Sequence, residues 1–182
     1  MATNILNFFS RATDAQFSRD FLFRVQDLQI KGAKLVGDQE LLYARTANLP
    51  GRAIENKIAN YSGQQFNVPG KSTYTNSEAF SIEFYMDATG DIRQKLEAAS
   101  RTVFDDQTTT GQYEMPGDGD VITLVMLDKQ LKPVKTITLY GASIRDIGEV
   151  GYQIADGTGE IVNMTCTFSY HWYKSDMYVS GA

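Results

Sequence analysis

Cysteine and histidine occur once each in 182 residues, and that scarcity removes whole classes of protein. A lone cysteine cannot close an internal disulfide, and one histidine beside it cannot complete a Cys/His zinc cage. A histidine-based catalytic triad would have to use His171. No basic excess exists either: 22 acids against 17 bases leave a net charge of −5, a poor balance for gripping phosphates. That excludes nucleic acid as a tightly held ligand, but not as something that passes by. The longest apolar run, Val121 to Leu127, is too short to cross a bilayer. The first charge, Arg11, follows Phe8 and Phe9, without the basic region and small-residue cleavage site of a secretory signal. The expectation is a chain that is neither inserted in a membrane nor exported. Its length suits one domain over 1–182 with a core of its own.

The charge that is present is concentrated. Phe104 to Asp120 reads FDDQTTTGQYEMPGDGD and holds Asp105, Asp106, Glu114, Asp118 and Asp120 with no Lys or Arg. The rest of the chain is electrically balanced. Three threonines in a row, three glycines and a proline mark this stretch as a loop, of a length that goes with function or mobility. It reads as a solvated acidic loop, a calcium site or a contact for a basic partner surface. Asp118-Gly119-Asp120 lacks the remainder of an EF-hand loop, including the acid at its twelfth position.

Period-two alternation dominates elsewhere. Residues 1–20 read as an N-terminal arm, with a helical turn near Asn4 to Phe9. Phe21, Phe23 and Val25 then alternate with Leu22, Arg24 and Gln26 along a strand. Ile30 to Glu40, with Gly32 and Gly37, reads as a loop or a loose hairpin tip. Leu41 to Ala47 is a strand stopped by Asn48-Leu49-Pro50-Gly51. Ala53 to Tyr61 and Gln64 to Val68 flank Ser62-Gly63 as a hairpin, which Pro69-Gly70 closes. Phe80, Ile82, Phe84 and Met86 share one face of the strand Ala79 to Met86. Ile92, Leu96, Ala99 and Val103 form one apolar stripe on a helix over Asp91 to Val103, with Thr89 and Asp91 as start signals.

Beyond the acidic loop, Val121 to Leu127 reads as a buried strand. Asp128 to Pro133 turns the chain, and Val134 to Tyr140 returns with Ile137 and Leu139 inward. Glu149 to Ile154 is a shorter strand and Asp156 to Gly159 a turn. One long strand from Glu160 to Tyr173 then carries Val162, Met164, Cys166, Phe168, Tyr170 and Trp172 on its apolar face. Strand outweighs helix several-fold. The fold class is therefore mainly β: an antiparallel β-sandwich or barrel with one flanking helix, long loops and an N-terminal arm.

Catalytic chemistry has no visible home. His171 has no nucleophile motif beside it and reads as a surface or interface histidine. Cys166, on the apolar face, behaves as a small hydrophobe. No Walker loop, dinucleotide fingerprint or helical zinc motif occurs. The chain is not expected to be an enzyme, and no catalytic, cofactor-binding or metal-binding residue is assigned. What remains is surface. Ten Tyr and ten Phe, among them Tyr85 and Tyr170, with Trp172 beside them, are more than one small sandwich buries easily. Self-association that pairs open strand edges would account for them. A monomeric binding module, for carbohydrate for example, that uses exposed aromatics as a stacking platform is the alternative.

The order of several segments resembles the tail tube proteins of contractile-tailed bacteriophages. Phe21-Leu22-Phe23-Arg24-Val25, Ala47-Asn48-Leu49-Pro50 and the hairpin through Gly70 carry the resemblance. Phe80-Ser81-Ile82-Glu83-Phe84 leads into the helix with Ile92-Arg93-Gln94-Lys95. Ile147-Gly148-Glu149-Val150 and the long strand to Tyr173 complete it, over roughly residues 14–173. The resemblance implies a structural virion protein, assembled in the bacterial host cytoplasm into stacked hexameric rings. Their inner strands would line a lumen through which DNA is ejected without specific binding. Tail sheath, baseplate and tube-initiator proteins are the implied partners. Tubes of type VI secretion systems and phage-like bacteriocins share the plan. The lumen set on this view is Ala53 to Val68, Val134 to Tyr140 and Ser143 to Gln153. The Ile30 to Glu40 insertion, the Gln107 to Asp120 loop and the tail Lys174 to Ala182 exceed a minimal tube protein.

Overall fold

The computed structural model describes residues 19–35, 43–153 and 159–177. Most of the N-terminal arm, its helical turn, Gly37, the start of the strand at Leu41, the turn from Asp156 and the last five residues of the tail lie outside these. Two antiparallel sheets share one apolar core. In the first, strands β1 (Phe23–Ile30), β2 (Ala33–Lys34), β9 (Val121–Leu127), β10 (Pro133–Tyr140) and β13 (Trp172–Met177) run in the order β13-β10-β9-β1-β2. In the second, β3 (Ala44–Ala47), β6 (Phe80–Tyr85), β11 (Ser143–Ile147) and β12 (Asn163–Ser169) run β11-β12-β6-β3. Two separate pairs stand apart, the long β4 (Gly51–Tyr61) with β5 (Gln64–Thr75) and the short β7 (Phe104–Asp105) with β8 (Thr110–Gly111). Among the described residues, the mainly antiparallel β architecture with one flanking helix is as expected.

Alternation builds the core. Phe80, Ile82 and Phe84 from β6 meet Met164, Cys166 and Phe168 from β12, in register as Phe80↔Phe168, Ile82↔Cys166 and Phe84↔Met164. Val25, Leu28, Ile30, Ile122, Leu124, Ile137 and Leu139 supply the facing layer. The helix α1 (Asp91–Val103) adds Ile92, Leu96 and Ala99, and Arg93 ties it down by donating to the Gly148 carbonyl at 2.9 Å.

Its start differs from expectation. Gly90 is the cap residue and makes no side-chain bond; the Asp87 carboxylate instead accepts the Asp91 N–H at 3.0 Å and the Thr89 hydroxyl. Burial pushes the Asp87 carboxyl up. The donors Thr89, Asp91 and Ile92 outweigh it and hold the group below its ordinary value.

Four other sequence expectations are corrected. Phe21 is exposed and Leu22 buried, because both precede β1 in a turn in which the Leu22 N–H donates to the Arg19 carbonyl; within β1 a bulge between Val25 and Asp27 shifts the phase, so that its inward set is Val25, Leu28 and Ile30. Glu149 to Ile154 is not a strand over its described part. Pairing with β12 ends at Ile147↔Cys166, and after Gly148 donates to the Thr165 carbonyl the chain leaves the sheet. The acidic stretch is not loop throughout, since Phe104–Asp105 pairs with Thr110–Gly111. The Glu160 to Tyr173 strand is two strands in different sheets, and Lys174 to Met177, expected to be tail, belong to the second of them.

That break sits at Tyr170–His171, beside the matching break at Gly141–Ala142. At both points the chain crosses from one sheet to the other, and the His171 N–H donates to the Tyr140 carbonyl at 2.9 Å. Gly141 has φ +66°, and a Cβ there would lie 2.1 Å from Cδ2 of His171. The crossing reverses the inward phase, so Trp172 faces out and stacks on Tyr140 with centroids 4.2 Å apart, while Tyr173 packs on the core.

Gly141→Ala meets both the left-handed backbone and the imidazole. It is expected to cost about 2 kcal/mol or more, read as a drop in thermal midpoint of at least about 4 °C. Adding His171→Ala should return only the steric share. Asp87→Ala should destabilise the fold by about 1 kcal/mol at neutral pH. Because the carboxyl is held below its ordinary value, the wild-type advantage is present above the unfolded-state value near 3.8. It is lost as pH falls through the lower folded-state value, so the two thermal midpoints should converge in strong acid.

Candidate assembly surface

Among the described residues, the β4–β5 hairpin pairs with no other strand. Its turn is Ser62-Gly63, both at positive φ (+48° and +80°). These are the angles a two-residue hairpin turn needs to match strand twist, which makes glycine the natural second residue. The ribbon is longer than the sequence suggested. β5 does not stop at Pro69-Gly70 but continues to Thr75. Register passes from Ile54↔Ser72 to Asn56↔Pro69, so Glu55 faces two residues, Gly70 and Lys71. A bulge of this kind is where a strand tolerates a proline, which has no N–H to give the ladder. Lys71 pairs with Glu55 across it at 3.4 Å. The missed signal was Lys71-Ser72-Thr73-Tyr74-Thr75, β-branched and aromatic enough for a strand but hidden behind a dipeptide that ordinarily ends one.

Eleven residues at about 3.3 Å each give β4 a length of roughly 35 Å, nearly all of it wet on both sides. Opposed residues of an antiparallel pair share a face and successive ones alternate. Beyond the bulge, one face carries Asn56, Asn60, Gln65 and Asn67 around Ile58 and Pro69, and no charge. The other carries Lys57, Ala59, Tyr61, Phe66, Val68 and Gln64. Tyr61 is 76% exposed, Ile58 61% and Phe66 49%. Large apolar side chains in this state, on a ribbon with two open edges, mark a surface that something else covers.

The base of the ribbon is anchored by aromatic rings. Tyr74 meets Tyr170 and Tyr173 edge-on, at 6.3 and 5.5 Å between centroids, and Phe80 meets Tyr170 at 6.1 Å. The Tyr170 N–H donates to the Ser77 carbonyl at 2.8 Å. Tyr170 itself is buried, and burial, then the neighbouring Tyr173 and Tyr74, push its phenol up. Of the aromatics expected to be in excess, Tyr170 is thus absorbed by the core, Tyr85 is half-buried and Trp172 remains 41% exposed.

The acidic segment is ordered by its own short bonds. The Asp105 carboxylate accepts the Gln107 N–H and the Thr108 hydroxyl, each at 2.9 Å, and these hold it below its ordinary value. Phe104 and Tyr113 pack as a tilted pair at 6.5 Å, and Tyr113 and Met115 are exposed. At the far end, buried Asp120 accepts the Gly117 N–H at 2.8 Å and the Lys31 N–H, so both its oxygens are committed to backbone donors. Its own carbonyl takes the Ala142 N–H at 2.9 Å. Among the described residues, no three His, Cys, Asp or Glu side chains are grouped to hold a metal ion.

His171 is exposed at the sheet crossing and Cys166 lies in the core. Burial, with the Asp146 charge behind it, pushes the Cys166 thiol up to about 12, where almost no thiolate forms. The structure does not bring these two residues together with each other or with any acid as a catalytic set. A groove of about 380 Å³ beside β1 is lined by Leu22, Phe23, Ala47, Leu49 and Met126, with Arg19 and Asp20, and gathers no nucleophile and base. No described helix is long and apolar enough to cross a membrane.

No protein-family model and no curated sequence matches the chain. Solved structures do match it in fold. A chain of the 6-fold symmetrised cryo-EM structure of the anti-feeding prophage baseplate aligns with TM-score 0.61 and 11% identity, over 88% of this chain and 96% of that one. A chain of the sheath/tube terminator of an extracellular contractile injection system, PVC, aligns at 0.60 and 11%, over 89% and 98%. One from the PVC sheath–tube complex in its extended state aligns at 0.57 and 11%, over 93% and 97%. The two-sheet architecture with its helix is therefore a fold found in the chains of contractile injection assemblies.

Proposed function

We propose that this protein is a structural subunit that assembles into stacked hexameric rings, forming the inner tube of a contractile tail. The observation that carries the reading is the β4–β5 ribbon, wet on both faces, with no described strand at either edge and studded with apolar side chains. Neighbouring copies would cover it and join ribbons into a continuous wall. The fold shared with sheath–tube and baseplate chains supports the same reading. The tube would be the conduit for DNA ejection in a phage tail, within a contractile sheath and on a baseplate.

The uncharged face of Asn56, Asn60, Gln65 and Asn67 suits the lumen. Amides offer no fixed charge to a passing phosphate, so DNA slides without sticking. The strand at 134–140 and the segment 143–153, which is strand only to Ile147, would complete the lining. A carbohydrate-binding module, the alternative, would have to use the outer face of Trp172, since Tyr140 covers the other.

Purified protein examined by negative-stain electron microscopy and sedimentation over a range of concentrations should show six-fold rings or hollow tubes. A monodisperse monomer at every concentration, with saturable sugar binding that changes Trp172 fluorescence, would replace this reading with the binding module.

A further inference from the structure

We propose that the Lys57 face of the β4–β5 ribbon docks on the acidic 104–120 segment of the next copy of the chain. The inference rests on the tube reading and names the contact that would join its subunits.

Two surfaces of one molecule are complementary in both charge and polarity. The ribbon has three bases, Arg52, Lys57 and Lys71, against one acid, Glu55. With Lys71 and Glu55 paired to each other, Arg52 and Lys57 remain as its excess charge. Lys57 shares its face with Tyr61, Phe66 and Val68, all exposed. The segment from 104 to 120 carries five acids and no base, the whole of the chain's net charge. It too displays exposed apolar groups, Phe104, Tyr113 and Met115.

Within one chain these features belong to separate pairs of strands, and the ribbon has no described strand beside it. A contact between copies satisfies both at once. Tyr61, Phe66 and Val68 cover Tyr113 and Met115, while Lys57 meets Asp106 or Glu114 at the margin. Apolar burial supplies affinity, and the charges supply direction: two ribbons repel, two acidic segments repel, and only ribbon to segment attracts. The contact is therefore head-to-tail, the kind that propagates around a ring or along a stack. It also turns Lys57 away from the lumen and leaves the amide face there.

The test is a charge exchange. Lys57→Glu should raise the concentration needed for assembly at least about tenfold. Asp106→Lys with Glu114→Lys should do the same, and the triple variant should recover most of the loss, since each charge again faces its opposite. Circular dichroism and thermal midpoints would confirm that each variant folds. A second measurement does not depend on charge. Because Cys166 is buried and protonated, Ala59→Cys mixed with Tyr113→Cys should give a disulfide-linked heterodimer under mild oxidation, and neither variant alone should do so. Wild-type assembly with Lys57→Glu equally competent and no heterodimer would overturn the docking and leave the tube reading standing. A wild type that never assembles would overturn both.

Discussion

Two chain crossings between the sheets meet at one point, and both projecting features of the molecule hang from it. The Tyr140 carbonyl takes the His171 N–H, and the imidazole fills the space that a side chain on residue 141 would need. On one side of the meeting point, Tyr170 and Tyr173 grip Tyr74 and hold the base of the ribbon. On the other, Ala142 donates to the carbonyl of Asp120, whose carboxylate closes the end of the acidic segment. Ribbon and acidic segment are thus anchored at the same junction, the first by ring contacts and the second by a backbone bond.

Much of the fold was legible where one physical rule acted alone. Phe80, Ile82 and Phe84 alternate without interruption, and the stripe of Ile92, Leu96 and Ala99 has only one periodic reading. Legibility failed where two rules competed. Pro69-Gly70 is a turn signal on local grounds, yet Glu55 across the ladder turns it into a bulge, a partner that local sequence does not reveal. Val162 to Trp172 alternates as one strand would, but the sheet changes beneath it at His171, and that crossing is set by Gly141, thirty residues earlier. The candidate surface was half visible: Lys57, Phe66 and Val68 lay inside the expected hairpin, whereas Lys71 and Tyr74 did not.

Charge shows the same division between what composition says and where it acts. A net charge of −5 describes a mildly acidic protein, but the ribbon is basic, one of its faces is neutral and the acidity belongs to one segment. A polymer of such subunits would have regions of different sign along its walls and contacts, and the average would describe none of them. Asp120, the buried acid among the described residues, has both oxygens spent on backbone N–H groups and is not available to a ligand.

The ribbon also has a kinetic consequence. A two-stranded β-ribbon with water on both sides is marginally stable by itself. Under the tube reading, the fraction of subunits with a formed ribbon sets the pool that can add to a growing end. The first few copies must form their ribbons before any neighbour rewards them, while later copies meet a template already in place. Such a polymer starts slowly and then elongates fast, so a preformed seed ring would control when and where tubes grow, and their number would follow the seeds more closely than the concentration of subunits.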